Sequence, residues 1–283
     1  MSDENSTVND FTGRTVVVTG GNSGIGLAAA EVFARGGARV AVVGRDQARL
    51  DEALARVRSA AGTGGGEAAA FRCDFAELAQ VRALAEALGA AYPRIDVLAN
   101  NAGGVFPRRA TTVDGFEHTM AVNHLAGFLL TNLLLDRLED GRVITTSSAA
   151  HRIGSLDPDD LNSSGRYLAF PVYGTSKQAN ILFAAEAARR WPQVGSYSYH
   201  PGTVRTRFAR DNRLVSFGIK LAPFMRTPQR GAQTLVWLAG TPETDLASGG
   251  YYSDGKLRTP AGNARSPRLA EALWEASEAA VGR

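Results

Sequence analysis

The sequence predicts an α/β protein built on a single doubly wound parallel sheet of about seven strands with helices on both faces. Three observations carry this. Short β-branched apolar runs alternate with Ala- and Leu-rich helical stretches along nearly the whole chain. The distance between successive runs leaves room for helical crossovers, which are right-handed and join parallel strands. The runs are apolar throughout, as strands covered on both faces are. At 283 residues, 44% hydrophobic and 21% charged, the chain has ordinary globular composition and enough length for one large core.

The elements follow in order. Residues 1–12 read as a flexible tail and 13–283 as one domain, since no internal repeat and no Pro- or Ser-rich linker divides the chain. Thr15 to Thr19 (TVVVT) is the first strand; it runs into a glycine-rich turn and a helix from Ile25 to Arg35 that Gly36-Gly37 stops. Arg39 to Gly44 is the second strand, followed by a helix from Gln47 to about Ala61. A strand near Ala68 to Cys73 and a helix from Glu77 to Ala90 come next. Ile95 to Ala99 and Arg142 to Thr146 are further strands, separated by a long helix around Phe116 to Leu138. A helix from Val172 to Trp191 precedes a strand at Val194 to Tyr199. The last units are a helix near Gln229 to Ala239, a strand near Gly250 to Ser253 and a helix near Pro267 to Val281. Two long connections, residues 149–171 and 207–228, follow strands directly. In a doubly wound sheet that edge is where ligands bind, so both are expected to be substrate loops.

Composition excludes several classes. Cys73 is the only cysteine, which rules out a disulfide scaffold. Four separated histidines and one cysteine do not form a ligand set, so no metal is expected. The basic excess is small, 31 Lys+Arg against 28 Asp+Glu, and the arginines are scattered, so nucleic acid is not an expected partner. No apolar run is long enough to span a bilayer, and the stretch Met1 to Asp10 is polar rather than a signal sequence; a cytoplasmic protein is the expectation.

Thr19-Gly20-Gly21-Asn22-Ser23-Gly24-Ile25-Gly26 joins the first strand to the first helix. Glycines there let the backbone approach a ligand, and the free N–H groups of a helix start favour a pyrophosphate. The competing reading is a tight turn with no ligand; the position in a βαβ unit favours the nucleotide. The second strand ends Val43-Gly44-Arg45, with no carboxylate before Asp46. A carboxylate there would accept from a ribose 2′-OH, whereas a guanidinium pairs with a 2′-phosphate. Arg45 therefore selects NADP over NAD, unless it merely faces solvent.

Tyr173-Gly174-Thr175-Ser176-Lys177 places a phenol and an ammonium four residues apart on one helix face. A phenol titrates near pH 10, roughly, and a nearby ammonium with an oxidised nicotinamide would bring it toward the working range.

With these motifs the chain resembles the short-chain dehydrogenase/reductase family, over residues 13–282. TGGNSGIG matches the family's TGxxxGIG turn, Asn100-Asn101-Ala102-Gly103 its NNAG motif, Ser147-Ser148 its catalytic serine position, Tyr173 and Lys177 its YxxxK, and Pro201-Gly202-Thr203-Val204-Arg205-Thr206 its PGxVxT. The resemblance implies a Rossmann fold and a set of roles. Tyr173 would exchange the proton at the substrate oxygen. Lys177 would hold the nicotinamide ribose and lower the tyrosine pKa, Ser148 would bond the carbonyl or alkoxide, and Asn123 would support a proton-relay water. Thr19, Gly20, Asn22, Ser23, Gly24, Ile25 and Gly26 would cradle the pyrophosphate, with Arg45 at the 2′-phosphate. Asp74, with Phe75 beside it, would meet the adenine; Asn100, Ala102 and Gly103 would lie along the adenosine ribose side. Pro201, Gly202, Val204 and Thr206 would meet the nicotinamide.

Finer features resemble the retinol dehydrogenase and WW-domain oxidoreductase branch: Val122-Asn123-His124-Leu125, Lys177-Gln178-Ala179-Asn180-Ile181-Leu182, Gly231-Ala232-Gln233-Thr234 and Leu273-Trp274-Glu275. Retinoid specificity does not transfer, because the loop after PGTVRT is this chain's own. In that loop Leu214, Val215, Phe217, Ile219, Leu221, Phe224 and Met225 suggest a lid over an apolar substrate, with core packing or a dimer surface as the competing reading. The expected activity is reversible hydride transfer between NADP(H) and a lipophilic alcohol, ketone or aldehyde. The alternatives are an NADP-sensing protein without turnover, and a dehydratase or epimerase on the same fold. A homodimer or homotetramer is the family expectation, with Leu129, Leu130, Leu133, Leu134, Ile181 and Phe183 as core or interface.

Overall fold

The structure, a computed structural model, describes residues 10–64, 66–204 and 225–282. Thr206, the apolar positions from Leu214 to Phe224, most of the 207–228 loop and most of the 1–12 tail lie outside the described residues.

The strands β1 (Thr15–Thr19), β2 (Arg39–Gly44), β3 (Ala68–Arg72), β4 (Val97–Asn100), β5 (Arg142–Thr146), β6 (Gly195–His200), β7 (Tyr251–Ser253) and β8 (Lys256–Arg258) form one sheet. Its order is β3-β2-β1-β4-β5-β6-β7-β8. All neighbours are parallel except β7 and β8. The chain leaves β3 at one edge and re-enters beside β1 as β4, so the strand order reverses between β1 and β4. A crevice opens at that point beyond the carboxyl ends of the strands.

Side-chain alternation explains the two covered faces. Val16, Val18, Val40 and Val42 point to one side, with α1 (Gly24–Arg35), α2 (Gln47–Ala61) and a late helix at Pro228–Gly240. Val17, Ala41 and Val43 point to the other, with α3 (Leu78–Ala91) and the helices that carry the motifs. Both sides are apolar, so the strands show no polar alternation.

Three differences from the sequence expectation have physical causes. The long helix expected at Phe116 to Leu138 is interrupted: α4 (His118–Met120) passes into a π-helical turn (Ala121–Leu125) and then α5 (Ala126–Leu133). In the turn, Ala126 N–H donates to Ala121 O, a wider loop than an α-turn closes. The run opens on Glu117, buried, whose carboxylate accepts from Thr119 N at 2.9 Å and Met120 N at 2.8 Å. Secondly, α6 (Ala169–Arg190) begins ahead of Val172; Pro171 sits in its first turn, where no N–H is needed. Thirdly, β8 is an antiparallel edge strand beyond the expected parallel set. Asp254 and Gly255, at φ +55° and +66°, make the two-residue hairpin that creates it. The remaining helices are α7 (Pro228–Gly240) and α8 (Pro267–Val281).

Candidate functional site

The turn after β1 is built for close approach. Gly20 and Gly24 have φ of +65° and +54°. A Cβ on Gly26 would lie 2.4 Å from Gly20 O, and one on Gly20 would lie 3.0 Å from Ala102 Cα. Thr19 ties this turn to the loop after β4: its hydroxyl donates to Ala99 O at 3.1 Å and accepts from Asn101 N and Ala102 N at 2.9 and 3.0 Å. Asn101 Nδ2 donates to Thr19 O at 2.9 Å. Ser23 stands at the N-cap of α1, yet its hydroxyl caps nothing and the first turn holds no acid. The N–H groups of Gly24, Ile25 and Gly26 are thus left facing the crevice end of the sheet, a fit for a phosphate.

At the end of β2, Arg45 is exposed and its guanidinium makes no bond or ion pair among the described residues. Across the strand ends Arg72 Nε donates to Arg45 O at 3.2 Å, which sets a second guanidinium beside it. Asp46 is engaged elsewhere: its carboxylate caps α2 through Arg49 N at 3.0 Å. Gly44 is required by Asn22, whose Cγ would lie 2.6 Å from a Cβ there. Asp74 accepts from Ala76 N at 3.0 Å, and Phe75 is buried in the core, lining a small cavity with Phe128.

The side chain of Asn100 turns inward, donating to Thr131 Oγ1 at 2.8 Å, and lines a small cavity with Thr145. Gly103 brings the same loop against the π turn and α6: a Cβ there would lie 2.8 Å from Asn123 Oδ1 and 3.4 Å from Lys177 Nζ.

The π turn carries Asn123. Its Oδ1 accepts from Gly104 N at 2.7 Å, and its Nδ2 donates to Gly104 O and to Ser176 Oγ, both at 2.9 Å. Beside it β5 delivers the two serines. Ser148 bonds the phenol of Tyr173 and accepts from Ala150 N at 3.2 Å. Lys177 lies one turn along α6 with Nζ 5.6 Å from the centre of the Tyr173 ring, and donates to Thr146 O at 3.0 Å. Asn123, Ser148, Tyr173 and Lys177 are therefore together.

Their electrostatics correct one expectation. Burial draws the Lys177 ammonium down to about 7, and burial pushes the Tyr173 phenol up, partly offset by the Ser148 bond. The protein alone does not lower the phenol. Both charged forms are costly in this dry site.

Pro201 and Gly202 follow β6, and Val204 pairs in parallel with Arg226. Gly202, at φ +81°, packs under Arg226, whose guanidinium forms an ion pair with Asp254 of the hairpin. Val204, Ile25 and Gly231 meet: a Cβ on Gly231 would lie 2.7 Å from Val204 Cγ2 and 3.1 Å from Ile25 Cγ1. Sequence reasoning missed Arg226, whose partner lies 28 residues away. It also missed any role for Asn180, noted only as part of a motif.

The mouth beside Tyr173 is apolar. Ile153, Leu168 and Phe170 are large and exposed, and the Phe170 ring lies 6.1 Å from that of Tyr173. The 149–171 connection is anchored on the opposite wall: Tyr167 Oη donates to Phe106 O at 2.8 Å, and Glu117 N donates to Asn162 Oδ1 at 2.8 Å. Among the described residues no helix is long and apolar enough to cross a membrane.

Comparison with known proteins agrees with this architecture. The short chain dehydrogenase family model matches residues 14–214. A Streptomyces sp. (strain C5) protein named "Putative daunorubicin C-13 ketoreductase DnrU" is 57% identical over 271 residues, covering 95% of this chain and 93% of that one. Retinol dehydrogenase 14 of Mus musculus is 40% identical over 288 residues, covering 95% and 86%. A solved structure of an uncharacterised protein from Mycobacterium paratuberculosis superposes with a TM-score of 0.80 at 33% identity, covering 98% and 96%. The turn after β1, the serine at the end of β5 and the Tyr-Lys pair on α6 thus sit in a chain that belongs to the short-chain dehydrogenase/reductase family, on its retinol dehydrogenase-like branch, and is an oxidoreductase using a nicotinamide cofactor.

Proposed function

We propose that this enzyme catalyses reversible, NADP(H)-dependent interconversion of a lipophilic alcohol with its ketone or aldehyde, and that Tyr173 is its general acid and base. The observation that carries the chemistry is the meeting of Ser148, Tyr173 and Lys177 at the junction of β5 and α6. When bound, the reduced nicotinamide supplies hydride to the carbonyl carbon. Ser148 donates to the carbonyl oxygen and aligns it, and the Tyr173 hydroxyl gives that oxygen its proton as the alcohol forms. Lys177, held at Thr146 O, adds positive charge beside the phenol as its proton leaves. In oxidation the same proton returns to Tyr173.

Arg45 and Arg72 at the ends of β2 and β3 favour a 2′-phosphate and hence NADP. Exposed Ile153, Leu168 and Phe170 favour an apolar substrate, and the names of the Streptomyces and mouse relatives denote a ketone reductase and an alcohol dehydrogenase. A chain read as one domain from residue 13 and a cytoplasmic location belong to the same proposal. The test is a titration with NADPH and NADH followed by nicotinamide fluorescence. NADPH is expected to bind more tightly, with the preference lost in Arg45→Ala. Tighter NADH binding reverses the cofactor assignment, and binding of neither removes the enzyme reading.

A further inference from the structure

A chain of buried polar contacts runs behind the catalytic pair. Asn180 lies on α6 one turn beyond Lys177 and is 2% exposed. Its Nδ2 donates to two main-chain carbonyls, Thr146 O and Asn123 O, both at 3.0 Å. Thr146 O is also the acceptor for Lys177 Nζ, at 3.0 Å. Asn123 O belongs to the π turn, where the wider helical loop displaces carbonyls from their usual partners. On its other side Asn180 Oδ1 lies 3.3 Å from His124 Nδ1, and His124 Nε2 lies 3.0 Å from Ser277 Oγ. With the neutral imidazole carrying its proton on Nδ1, toward Asn180 Oδ1, Nε2 is the acceptor, and the one proton of the Ser277 hydroxyl goes to it or to Leu273 O, 2.7 Å away.

One amide therefore joins three elements that each deliver a catalytic group. The end of β5 leads into Ser148, the π turn carries Asn123, and α6 carries Tyr173 and Lys177. A buried amide of this kind is costly unless its donors and acceptor are all engaged, and here they are. Its orientation is fixed: with two carbonyls on the nitrogen side, the amide cannot flip without setting oxygen against oxygen. We propose that Asn180 is a positioning residue for the hydride-transfer site: by gripping Thr146 O and Asn123 O it fixes the carbonyl that orients the Lys177 ammonium and the distance between the π turn and β5. This rests on the reading of Tyr173 and Lys177 as the working pair.

The titratable groups facing Asn180 are Lys177 on its own helix and His124 on the π turn; β5 and α8 bring only the hydroxyls of Thr145, Thr146 and Ser277. Burial keeps His124 neutral, its pKa drawn down to about 4, so Lys177 is the group whose charge Asn180 governs near neutral pH.

The chain holds three lysines, Lys177, Lys220 and Lys256, so a sample labelled with 13Cε-lysine reports Lys177 directly. In the wild-type protein one lysine signal is expected to titrate near pH 7. Asn180→Asp keeps the volume but sets a carboxylate oxygen against Thr146 O and Asn123 O, breaking the grip and placing negative charge near the ammonium, so that midpoint is expected to rise by about one pH unit or more. Asn180→Leu removes the grip. With NADPH and 1-phenyl-1,2-propanedione, a small apolar diketone, its kcat is expected to fall by about 10- to 100-fold with KM within about threefold, as misplacement of a reacting group does. NADPH fluorescence in both variants confirms a folded site. An unmoved Lys177 midpoint in Asn180→Asp, or wild-type kcat in Asn180→Leu, overturns the proposal. Tyr173→Phe separates this from the parent reading: turnover retained there sinks the Tyr173 mechanism, whereas a dead Tyr173→Phe beside an unaffected Asn180→Leu sinks only the role of Asn180.

Discussion

The hydroxyl of Ser147 donates to the main-chain carbonyl of Lys177 at 2.8 Å, clamping β5 to α6 one residue before Ser148 bonds Tyr173. Adjacent serines therefore carry different burdens. Ser147→Ala leaves a buried carbonyl short of a donor and is expected to cost about 1–2 kcal/mol in urea unfolding, with kcat within a few-fold of wild type. Ser148→Ala is expected to unfold at the wild-type midpoint while kcat drops about 100-fold, as loss of one oxyanion donor does. The reverse pattern would assign the catalytic hydroxyl to Ser147.

Arg72 holds the carbonyl of Arg45 rather than standing alone at the sheet edge. Arg72→Ala is expected to weaken NADPH binding by roughly tenfold with little change for NADH, a loss typical of one charge-assisted bond. Equal weakening of both cofactors, measured by fluorescence titration, would show that Arg72 serves only the local fold.

Acid should destabilise the protein through His124. Its imidazole is buried, with a pKa drawn from the ordinary 6.5 down to about 4, so it stays neutral in the fold and protonates in the unfolded chain. The unfolded state thus binds more protons as pH falls below 6.5, and stability declines through the window from 6.5 to about 4 before levelling. Above that window the group contributes no pH dependence. The decline is on the order of 3 kcal/mol. Melting temperatures measured across the window should fall less steeply for His124→Gln; an equal slope would place the titration elsewhere, with half-buried His200 as the next group to examine.

The helices bearing Asn123 and Tyr173 are covered by the chain's own α8. Trp274 packs its ring 5.0 Å from Phe128, 5.8 Å from Phe183 and 5.0 Å from Trp191, with the Arg190 guanidinium 4.8 Å above it. Leu129, Leu130, Leu134, Ile181 and Phe183 are all buried within the protomer; Leu133, at 38% exposure, is the outward-facing member of that set. Trp274→Ala is expected to cost about 3–5 kcal/mol, the range for emptying a large aromatic site. Leu133→Arg is expected to sediment as wild type does; a shift to smaller species would show that these helices form a dimer face.

Gly26→Ala should be far worse than a helix-propensity argument allows, since alanine is otherwise the better helix former. The added methyl would sit 2.4 Å from Gly20 O, so the turn has to open. Loss of NADPH binding with folding retained is the expected result. Normal binding would mean that the turn yields without cost.

Much of this was legible in the residues. β1, β2 and β5 fall where their β-branched runs do, because each is bounded by a glycine or a polar turn. Helical spacing puts Tyr173 and Lys177 on one face, while only the family resemblance places Ser148 beside them. What escaped depends on contacts distant in the chain. Nothing in Ala121-Val122-Asn123-His124-Leu125 signals a π turn; the wider loop is accompanied by bonds from Asn123 to Gly104 and Ser176. β8 is three exposed residues with no apolar face, and only the Asp254-Gly255 pair marked it. Asn100 obeyed its motif in sequence, yet its side chain found Thr131 on α5.

The link from His124 to Ser277 also bears on how the protein is made. A ribosome synthesises residues 118–133 long before residues 267–281, yet Phe128, Phe183 and His124 pack against side chains of the latter. Until that final segment emerges, a nascent chain exposes an aromatic surface beside an unfinished polar network. Such late-closing contacts leave partly made chains dependent on chaperones. A stall or frameshift before residue 267 should therefore yield aggregates and protease fragments rather than a slower enzyme.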